Sequence, residues 1–462
     1  MFTYSVIQKS QLEGASRIDA EYYQPEYLRI GKLLTNAKTI SEIATTFDLQ
    51  SNGAFAQIFN ILNDNNEKNI PYIRSENVGD FFINKNDLAF ISKEAHSKLI
   101  KTQTKLEDIV MARKGKIGGA TIITQDAVNF NSNDNIVNIK IKDKGLLDPY
   151  YFATFFNSKI GLKQIERFAT GNVQPWLSMF QVRSLKVIIP TLAFQLDIKK
   201  LVEGAFQQVI SSYSFYNQAE NLLLGELGLS SFAKATEDEE RFYIVNFSDI
   251  KSVNRMDAEY FQPKYKRLVS KLKTQNSKLL GELVTMKKGI EPGSEAYQEE
   301  GKLFIRVSSL SKFGIESVDQ KYLSDDLYQK LKKDFEPQIK EILLIKDATP
   351  GIAYVLKEPV EGIISGGILR LKIKEKIEPE YLALCVNSII GQMQAERDAG
   401  GSVIVHWKPE EIKNIIIPIL PQSSQQKIAD LVRKSHEARK KSKELLEEAK
   451  RKVEGMIEKG NN

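Results

Sequence analysis

The feature that most constrains this chain is an internal repeat. Residues Arg17 to Tyr27 read Arg-Ile-Asp-Ala-Glu-Tyr-Tyr-Gln-Pro-Glu-Tyr, and residues Arg255 to Tyr265 match them at eight of eleven positions. The two copies lie much farther apart than the period of a solenoid repeat, so each is long enough to bury its own core. The sequence therefore predicts a duplicated domain, in which one polypeptide carries two similar surfaces as a pseudo-dimer.

Composition is that of a globular chain with two or three domains. The chain has 462 residues, of which 42% are hydrophobic, and a net charge of +6 that fits a nucleic-acid partner without requiring one. It has no apolar run of membrane-spanning length, and Met1 to Ser16 lacks the pattern of an export signal, so we expect a cytoplasmic protein. The single Cys385 and three scattered histidines argue against a disulfide or a metal centre.

Matched segments follow the two repeated motifs in the same order. Each motif leads into a short helix, and its tyrosines are predicted to pack against the base of a later long helix. Next come β segments, a strand-turn-strand unit and a helix opened by an acid-proline pair. A glycine-led loop with an aromatic tip and a short strand ending in proline close each copy. The predicted ranges in the first copy are 27–34, 71–78, 108–123, 148–168, 170–177 and 184–190. The corresponding ranges in the second copy are 265–272, 303–310, 341–355, 378–396, 400–407 and 412–418.

Each copy ends in a long helix with a heptad seam. Two seams of equal length most simply pack on each other, and a helix of roughly 30 residues makes a rod of about 45 Å. Serines and one arginine near the middle predict a polar interruption there. The seam residues are Ile198, Val202, Ala205, Val209, Ser212, Tyr216, Ala219 and Leu223, then Ile428, Val432, Ser435, Arg439, Ser442, Leu446, Ala449 and Val453.

The predicted fold class is α+β. Two tandem, mostly-β domains with flanking helices are separated by two long helices packed as an antiparallel coiled coil, with approximate two-fold symmetry. The first domain is predicted at 1–190, the central helix at 191–229, a linker at 230–240, the second domain at 241–418 and the C-terminal helix at 419–459. Because DNA presents equivalent surfaces about 34 to 36 Å apart, such a rod could act as a ruler between two readers.

Several short motifs resemble those of the DNA specificity subunit of type I restriction-modification systems. They are the Asp-Ala-Glu-Tyr-Tyr-Gln-Pro-Glu-Tyr motif, the Thr170–Leu177 loop leading to Val-Ile-Ile-Pro, the helix starts at Gln195 and Gln425, and the stretch Leu222–Leu229. The resemblance spans nearly the whole chain. The second copy departs from the loop pattern, with Ile404 to Trp407 where the first has Gln174 to Leu177.

That resemblance implies two target recognition domains, each reading half of a split, asymmetric DNA sequence in double-stranded DNA. It also implies docking of two methyltransferase subunits and, through them, of motor-nuclease subunits. No catalysis and no cofactor or metal are expected in this chain, since S-adenosylmethionine and ATP would bind to the partners.

Reading of base edges requires paired hydrogen-bond donors or acceptors on loops that enter a groove. Basic loops recur at matched positions of the two copies while the residues inside them differ, which favours two readers of different half-sites. Any one of these residues could instead be a solvated surface group. The candidates are Arg74, Ser75, Asn77, Arg113, Lys114, Lys116, Gln174 and Trp176, then Arg306, Ser308, Ser309, Lys346, Asp347, Thr349, Ser402, His406 and Lys408.

Two other functions are compatible with parts of the sequence. A recognition module fused to a methyltransferase or nuclease would need a further α/β catalytic domain, and no region is spare. The Asp148-Pro149-Tyr150-Tyr151 stretch resembles an amino-methyltransferase motif but opens a helix, and no Gly-x-Gly-x-x-Gly or Gly-x-x-x-x-Gly-Lys loop occurs. A coiled-coil adaptor that binds only protein is the other alternative, and indifference to duplex DNA would identify it.

Overall fold

The computed structural model describes residues 5–9, 17–64, 66–115, 117–171, 174–230, 232, 243–253, 255–316, 320–400 and 405–459. The chain forms two compact units. Unit 1 comprises Met1–Gln208 with Lys441–Asn462, and unit 2 comprises Val209–Lys440. Both boundaries fall inside long helices, so each unit holds part of both of these helices.

Unit 1 contains three small sheets. The strand orders are β2-β8-β5-β6, β4-β3-β7 and β1-β9, and the pair β3–β7 is parallel whereas the other pairs are antiparallel. These strands are β1 (Lys38–Thr39), β2 (Ala44–Phe47), β3 (Lys68–Ile73), β4 (Ala89–Ser92), β5 (Ile109–Ala112), β6 (Thr121–Ile122), β7 (Asn131–Ser132), β8 (Ile136–Ile141) and β9 (Lys186–Val187).

Helices flank these sheets and lead into the first long helix, α8. They are α1 (Pro25–Leu33), α2 (Ile40–Ile43), α3 (Phe55–Leu62), α4 (Lys93–Lys98), α5 (Pro149–Asn157), α6 (Lys159–Phe168), α7 (Met179–Ser184) and α8 (Leu192–Glu226). The core of unit 1 is formed by residues of β5, β8, α5 and α6 together with the ends of the long helices that belong to this unit.

Unit 2 repeats this arrangement. Its strands are β10 (Ser277–Leu279), β11 (Val284–Lys288), β12 (Lys302–Ile305), β13 (Leu310–Ser311), β14 (Gly314–Ile315), β15 (Lys321–Leu323), β16 (Ile342–Ile345), β17 (Ala353–Val355), β18 (Gly362–Ile364), β19 (Ile368–Ile373) and β20 (Ile416–Pro418). Its helices are α9 (Phe247–Val253), α10 (Pro263–Lys273), α11 (Leu280–Leu283), α12 (Asp325–Phe335), α13 (Pro379–Asn387), α14 (Ile389–Asp398), α15 (Pro409–Lys413) and the second long helix, α16 (Gln422–Lys459).

The two units share one topology. The orders β11-β19-β16-β17, β15-β12-β18 and β10-β20 in unit 2 match the three sheets of unit 1 strand for strand. The single parallel pair of those sheets also recurs, as β12–β18. Unit 2 adds the short hairpin β13–β14, where unit 1 has an isolated bridge between Val78 and Ile83. The predicted duplication and the α+β fold class are therefore confirmed.

Buried glutamines fix the start of each long helix to its own unit. The Gln195 Oε1 atom accepts a hydrogen bond from the Asp148 amide at 2.7 Å, and Gln425 Oε1 accepts one from the Glu378 amide at 3.1 Å. Both side-chain amides also donate to carbonyls of the segment just before the helix. These contacts orient each long helix against the turn that opens α5 or α13.

The two long helices pack on each other in antiparallel order. In unit 1, Ile198 and Val202 of α8 share a core with Ala449 and Val453 near the end of α16. In unit 2, residues near the end of α8 share a core with residues near the start of α16, namely Tyr216, Ala219, Leu223, Ile428 and Val432. Among the predicted seam residues, Val209, Arg439 and Leu446 are half-buried and the others are buried.

The middle of this seam is polar, as predicted. The hydroxyls of Ser212 and Ser435 lie 3.0 Å apart, and Ser435 also donates to the Ser212 carbonyl at 2.8 Å. The Arg439 guanidinium turns aside and donates to the Tyr213 hydroxyl at 3.3 Å. Both serine side chains are completely buried, so the polar interruption is part of the packed interface.

Several element boundaries differ from the predictions. The single helices expected at 148–168 and 378–396 are each two helices, divided at Ser158 and Ser388. A Cβ atom at Gly161 or Gly391, just inside the second helix, would lie 2.2 Å from a carbonyl oxygen of the first. This close approach requires glycine and bends the chain sharply between the two helices.

The predicted strands 71–78 and 303–310 end early, because the chain turns into a 3₁₀ helix after Ile73 and after Ile305. The predicted strands 184–190 and 412–418 are also shorter. Their first residues belong to α7 and α15, leaving only the short strands β9 and β20.

The tyrosines of the repeated motif pack elsewhere than expected. The Tyr22 ring lies 5.9 Å from the Phe168 ring at the end of α6, edge to face. Arg167 lies over the same tyrosine ring, with 4.2 Å between its Cζ atom and the ring centroid. The motif thus anchors α6 rather than the base of a long helix.

Candidate nucleic-acid interface

The first candidate loop begins where a central strand turns into a 3₁₀ helix. In unit 1, β3 ends at Ile73 and Arg74 caps the 3₁₀ turn Ser75–Asn77. In unit 2, β12 ends at Ile305 and Arg306 caps the turn Val307–Ser309. The two arginines thus occupy equivalent positions at the same edge of matching sheets.

Asn77 and Ser309 brace this loop from inside. The Asn77 Oδ1 atom accepts the Arg74 amide at 2.9 Å, and its Nδ2 atom donates to the carbonyls of Asn84 and Asn86. In unit 2, the hydroxyl of Ser309 accepts the corresponding amide, that of Arg306, at 3.0 Å. Both side chains are completely buried. Contrary to the exposure expected of base readers, their hydrogen-bonding groups are used within the loop.

The second candidate loop follows β5 and β16. Arg113 is only 8% exposed, with its Nη2 atom 3.4 Å from Asp48 and its Nε atom donating to the Asp134 carbonyl at 3.1 Å. Lys346 is also 8% exposed, and its Nζ atom lies 2.5 Å from Asp347 Oδ2. Arg113 and Lys346 are thus buried, paired cations, and they too lack the exposure expected of base readers. Lys116 lies outside the described residues.

The third candidate loop is closed in the same way in both units. Thr170 and Trp176 exchange two backbone hydrogen bonds, of 3.0 and 2.8 Å. Gly400 and His406 do the same at 3.1 and 2.8 Å. Residues 172–173 and 401–404, which include Ser402, lie outside the described residues.

This geometry corrects the predicted aromatic tip of the second copy. Trp407 occupies the position of Leu177, since their amides donate to the equivalent carbonyls of Lys346 and Arg113. Trp407 is completely buried, whereas Trp176 is 43% exposed. The structural counterpart of Trp176 is therefore His406.

The three loops meet in unit 1. The Ser75 hydroxyl donates to the Lys114 carbonyl at 3.0 Å, and Lys114 forms a backbone bridge with Trp176. A Cβ atom on Gly115, which has φ +80°, would lie 3.7 Å from Gln174 Nε2. Ser75, Lys114, Gln174 and Trp176 thus form one contiguous surface.

The corresponding loops also meet in unit 2. Gly367 lies between β18 and β19 and approaches both the first and the second loop. A Cβ atom on it would lie 2.6 Å from a methyl group of Val307 in the first loop and 3.5 Å from Asp347 in the second, so glycine permits this approach. The His406 Nδ1 atom lies 2.8 Å from Asp347 Oδ1. Burial acts to raise the pKa of Asp347, but hydrogen bonds from Lys346 and His406 outweigh it, and the pKa is lowered. Asp347 therefore carries a negative charge beside the exposed imidazole.

The two surfaces differ in what they expose. Acidic neighbours are common to both surfaces, since Arg74 Nε lies 2.9 Å from Glu76 and Lys114 Nζ lies 3.3 Å from Asp134, as Lys408 Nζ lies 3.7 Å from Glu411 in unit 2. Among the candidates that the structure describes, those exposed to solvent are Gln174 and Trp176 in unit 1, and Ser308, Thr349, His406 and Lys408 in unit 2. One frame thus presents different donors and acceptors in the two copies.

Sequence reasoning missed a fourth loop at the same edge. It connects β7 to β8 in unit 1, where the Asn135 carbonyl accepts the Arg113 amide at 2.8 Å and Asp134 faces Lys114. In unit 2 the equivalent Gly367 carbonyl accepts the Lys346 amide at 2.9 Å. The run Asn131-Ser132-Asn133-Asp134-Asn135 was a usable signal, since such residues cluster in turns.

Neither a metal cluster nor a membrane span is seen in the part of the chain that the structure describes. No group of three or more His, Cys, Asp or Glu side chains is arranged to hold a metal ion there. Likewise, none of the described helices is both long and apolar enough to cross a bilayer.

The fold and the paired surfaces define a tandem, two-module protein in which a single α+β frame occurs twice. A sequence profile described as the type I restriction modification DNA specificity domain matches residues 36–211 and 273–450, one match in each copy and together more than half of the chain. The chain belongs to this family of type I specificity subunits.

Known proteins of this kind are similar over most of their length. A putative type I restriction enzyme MjaX specificity subunit from Methanocaldococcus jannaschii is 22% identical over 403 residues, which cover 84% of this chain and 86% of the relative. The crystal structure of a type I restriction-modification S subunit from M. genitalium covers 92% of this chain and 96% of its own, at 14% identity and a TM-score of 0.39. The HsdS subunit from Thermoanaerobacter tengcongensis aligns over 91% and 95%, at 13% identity and a TM-score of 0.27.

Proposed function

We propose that this chain reads a bipartite DNA target, with one half-site bound by the three-loop surface of each unit. The observation that carries the proposal is the repetition of one buried loop frame with different exposed side chains. Trp176 and Gln174 face outward in unit 1, whereas His406 and Thr349 do so in unit 2. Amide, imidazole and ammonium groups can bond base edges, and an exposed indole can make apolar contact with a thymine methyl group.

In this proposal, residues 1–190 and 241–418 are the two target recognition domains, and the long helices set the distance between half-sites. Two methyltransferase subunits dock on the chain, and motor-nuclease subunits join through them. Catalysis, S-adenosylmethionine and ATP belong to these partners, and the complex works in the cytoplasm. Membership of the specificity family and the antiparallel packing of α8 on α16 support this arrangement.

The main test uses the structurally equivalent residues Trp176 and His406. The full chain with its methyltransferase partner is titrated with DNA in which either half-site is intact or replaced, at one fixed salt concentration. We expect Trp176→Ala to weaken binding through one half-site by about 1–3 kcal/mol, and His406→Ala to weaken it through the other.

Lys200→Ala is the control for this titration. Lys200 is an exposed residue of α8, 77% accessible and distant in sequence from the three loops. Equal losses at both half-sites for Trp176→Ala would contradict separate reading. A complex that does not bind duplex DNA at all would favour the coiled-coil adaptor.

A second test addresses the spacer. Residues 205–211 of α8 and 437–443 of α16 lie between the Gly204–Leu445 contact and the Ser212–Ser435 pair. Removing both seven-residue segments keeps the heptad phase and shortens the rod by roughly 10 Å, or about three base pairs. Methylation mapping should then show a shorter gap between unchanged half-sites, and an unchanged gap would refute the ruler.

A further inference from the structure

The repeated motif at the start of each copy makes the same contact with a helix end. In unit 2, Arg255 binds Asp257 through two hydrogen bonds, of 2.9 Å from Nε and 2.7 Å from Nη2. Its remaining nitrogen, Nη1, donates to the carbonyls of Arg397 and Asp398 at 3.3 and 2.9 Å. These carbonyls belong to the last turn of α14.

Unit 1 repeats this arrangement, with longer distances from the arginine to the helix carbonyls. Arg17 pairs with Asp19 through both Nε and Nη2, the first at 2.7 Å. Its Nη1 atom lies 3.5 Å from the carbonyls of Arg167 and Ala169, at the end of α6. Hydrogen bonds from the arginine hold the pKa of Asp19 below its usual value, and those from Arg255 do the same for Asp257. Both pairs therefore remain ionised at neutral pH.

A tyrosine of the motif adds a second contact in each copy. The Tyr22 ring centroid lies 4.7 Å from the Arg17 guanidinium carbon and 4.2 Å from that of Arg167. The Tyr260 ring is likewise 4.7 Å from Arg255 and 5.4 Å from Arg397. Each motif arginine is thus fixed by a carboxylate and an aromatic face while it caps the helix.

The capped carbonyls lie directly before the third candidate loop. Helix α6 ends at Phe168, and Thr170 then pairs with Trp176, while α14 ends at Asp398 and Gly400 pairs with His406. The last carbonyls of a helix lack intrahelical partners and form its negative end, which a guanidinium group satisfies. The arginine therefore holds the end of the helix at the point where the loop begins.

We infer that Arg17 and Arg255 are positioning residues for the two reading loops, which they hold in place from outside the DNA-binding surface by capping α6 and α14. This inference rests on the proposed function and adds residues that lie outside the three candidate loops. Their side chains are 23% and 27% exposed, and the contacts they make are with a carboxylate, a helix end and one aromatic face. The consequence of losing either cap falls on loop geometry rather than on the stability of the fold.

The test is a half-site titration of the full chain with its methyltransferase partner. The variants are Arg17→Ala and Arg255→Ala, together with Arg17→Lys and Arg255→Lys, which keep the charge but lose the paired donors. Arg29→Ala and Arg267→Ala are matched controls, because both are exposed residues of the next helix at equivalent positions of the repeat.

We expect Arg17→Ala to reduce discrimination between matched and replaced DNA at one half-site by roughly tenfold, and Arg255→Ala to do so at the other half-site. The Arg255 variant should show the larger loss because its hydrogen bonds to the helix carbonyls are shorter than those of Arg17. The lysine variants should be intermediate, the controls unchanged, and melting temperatures within about 3 °C of the parent.

Two outcomes would overturn the inference while leaving the proposed function intact. One is full discrimination by Arg17→Ala and Arg255→Ala when the parent complex discriminates both half-sites. The other is an equal loss at both half-sites together with a marked fall in melting temperature, which would indicate a purely structural role. A parent complex that discriminates neither half-site would refute the proposed function, and this inference with it.

Discussion

The buried serine pair between the long helices leads to a quantitative prediction about stability. The Ser435 hydroxyl donates to the Ser212 carbonyl, so its oxygen is the acceptor for the Ser212 hydroxyl. Ser435→Ala therefore removes one bond outright and leaves a buried hydroxyl without this acceptor, at a cost of about 1–3 kcal/mol. Ser212→Ala leaves the bond from Ser435 to the backbone in place and should cost only about 0.5–1 kcal/mol.

The double variant distinguishes this mechanism from simple loss of packing. With both hydroxyls absent, no buried polar group is left unpaired, so the loss in the double variant should fall short of the sum of the single losses by about 1 kcal/mol. The assay is the free energy of unfolding in urea, with Ser214→Ala as control, since Ser214 is an exposed serine of the same helix. Additive losses, or a Ser212→Ala loss that equals that of Ser435→Ala, would refute the hydrogen-bond assignment.

Two further predictions concern buried charge in unit 2. Burial, followed by the charge of Lys357, lowers the pKa of His436 from 6.5 to about 3. Between these two pH values, His436 carries a proton in the unfolded chain but not in the folded chain. The contribution of His436 to the free energy of unfolding is therefore complete above about pH 7 and falls by about 2 kcal/mol on acidification to pH 5. The variant His436→Gln should flatten this part of the plot of unfolding free energy against pH. An unchanged slope would contradict the assignment. Glu341 binds Arg370 through bonds of 2.7 and 3.0 Å, with both side chains nearly buried. Glu341→Ala should lower the free energy of unfolding in urea by about 3–5 kcal/mol. The control Glu358→Ala breaks the exposed pair with Lys440 and should lower it by at most about 1 kcal/mol. Similar losses for the two variants would argue against an effect of burial.

Local sequence was sufficient for the duplication and the seam but not for the helix break. The heptad spacing located the seam, and the serines within it marked its polar centre. The break at Ser158 was missed because α5 is buried on all sides and α6 is amphipathic, so the apolar positions of α6 can be taken as a continuation of the first helix. Its signal was the repeated Asn-Ser-x-Ile-Gly at Asn157 and Asn387, in which the serine caps the second helix and the glycine permits close approach.

Site residues were harder to predict because burial depends on distant partners. Arg113 has the right chemistry for reading guanine, but it is buried and bonds to Asp48, which lies 65 positions away in the sequence. Asn77 suits adenine equally well, yet it serves the turn that follows β3. The sequence alignment already paired Trp176 with His406, and the backbone bonds of the closed loop agree; what the sequence did not show is that the neighbouring Trp407 is buried.

Substitutions between the two copies have different effects at the buried and at the exposed positions of the loops. Inward positions keep their role under substitution, as with the loop acceptors Asn77 and Ser309 and the buried, paired cations Arg113 and Lys346. Outward positions change their chemistry, from indole at Trp176 to imidazole at His406. Because the loop backbone bonds to inward groups, outward side chains can change without moving the frame. A pair of readers for different half-sites would therefore need only outward substitutions, and each substitution would alter one half-site while the other half-site and the spacing stay the same.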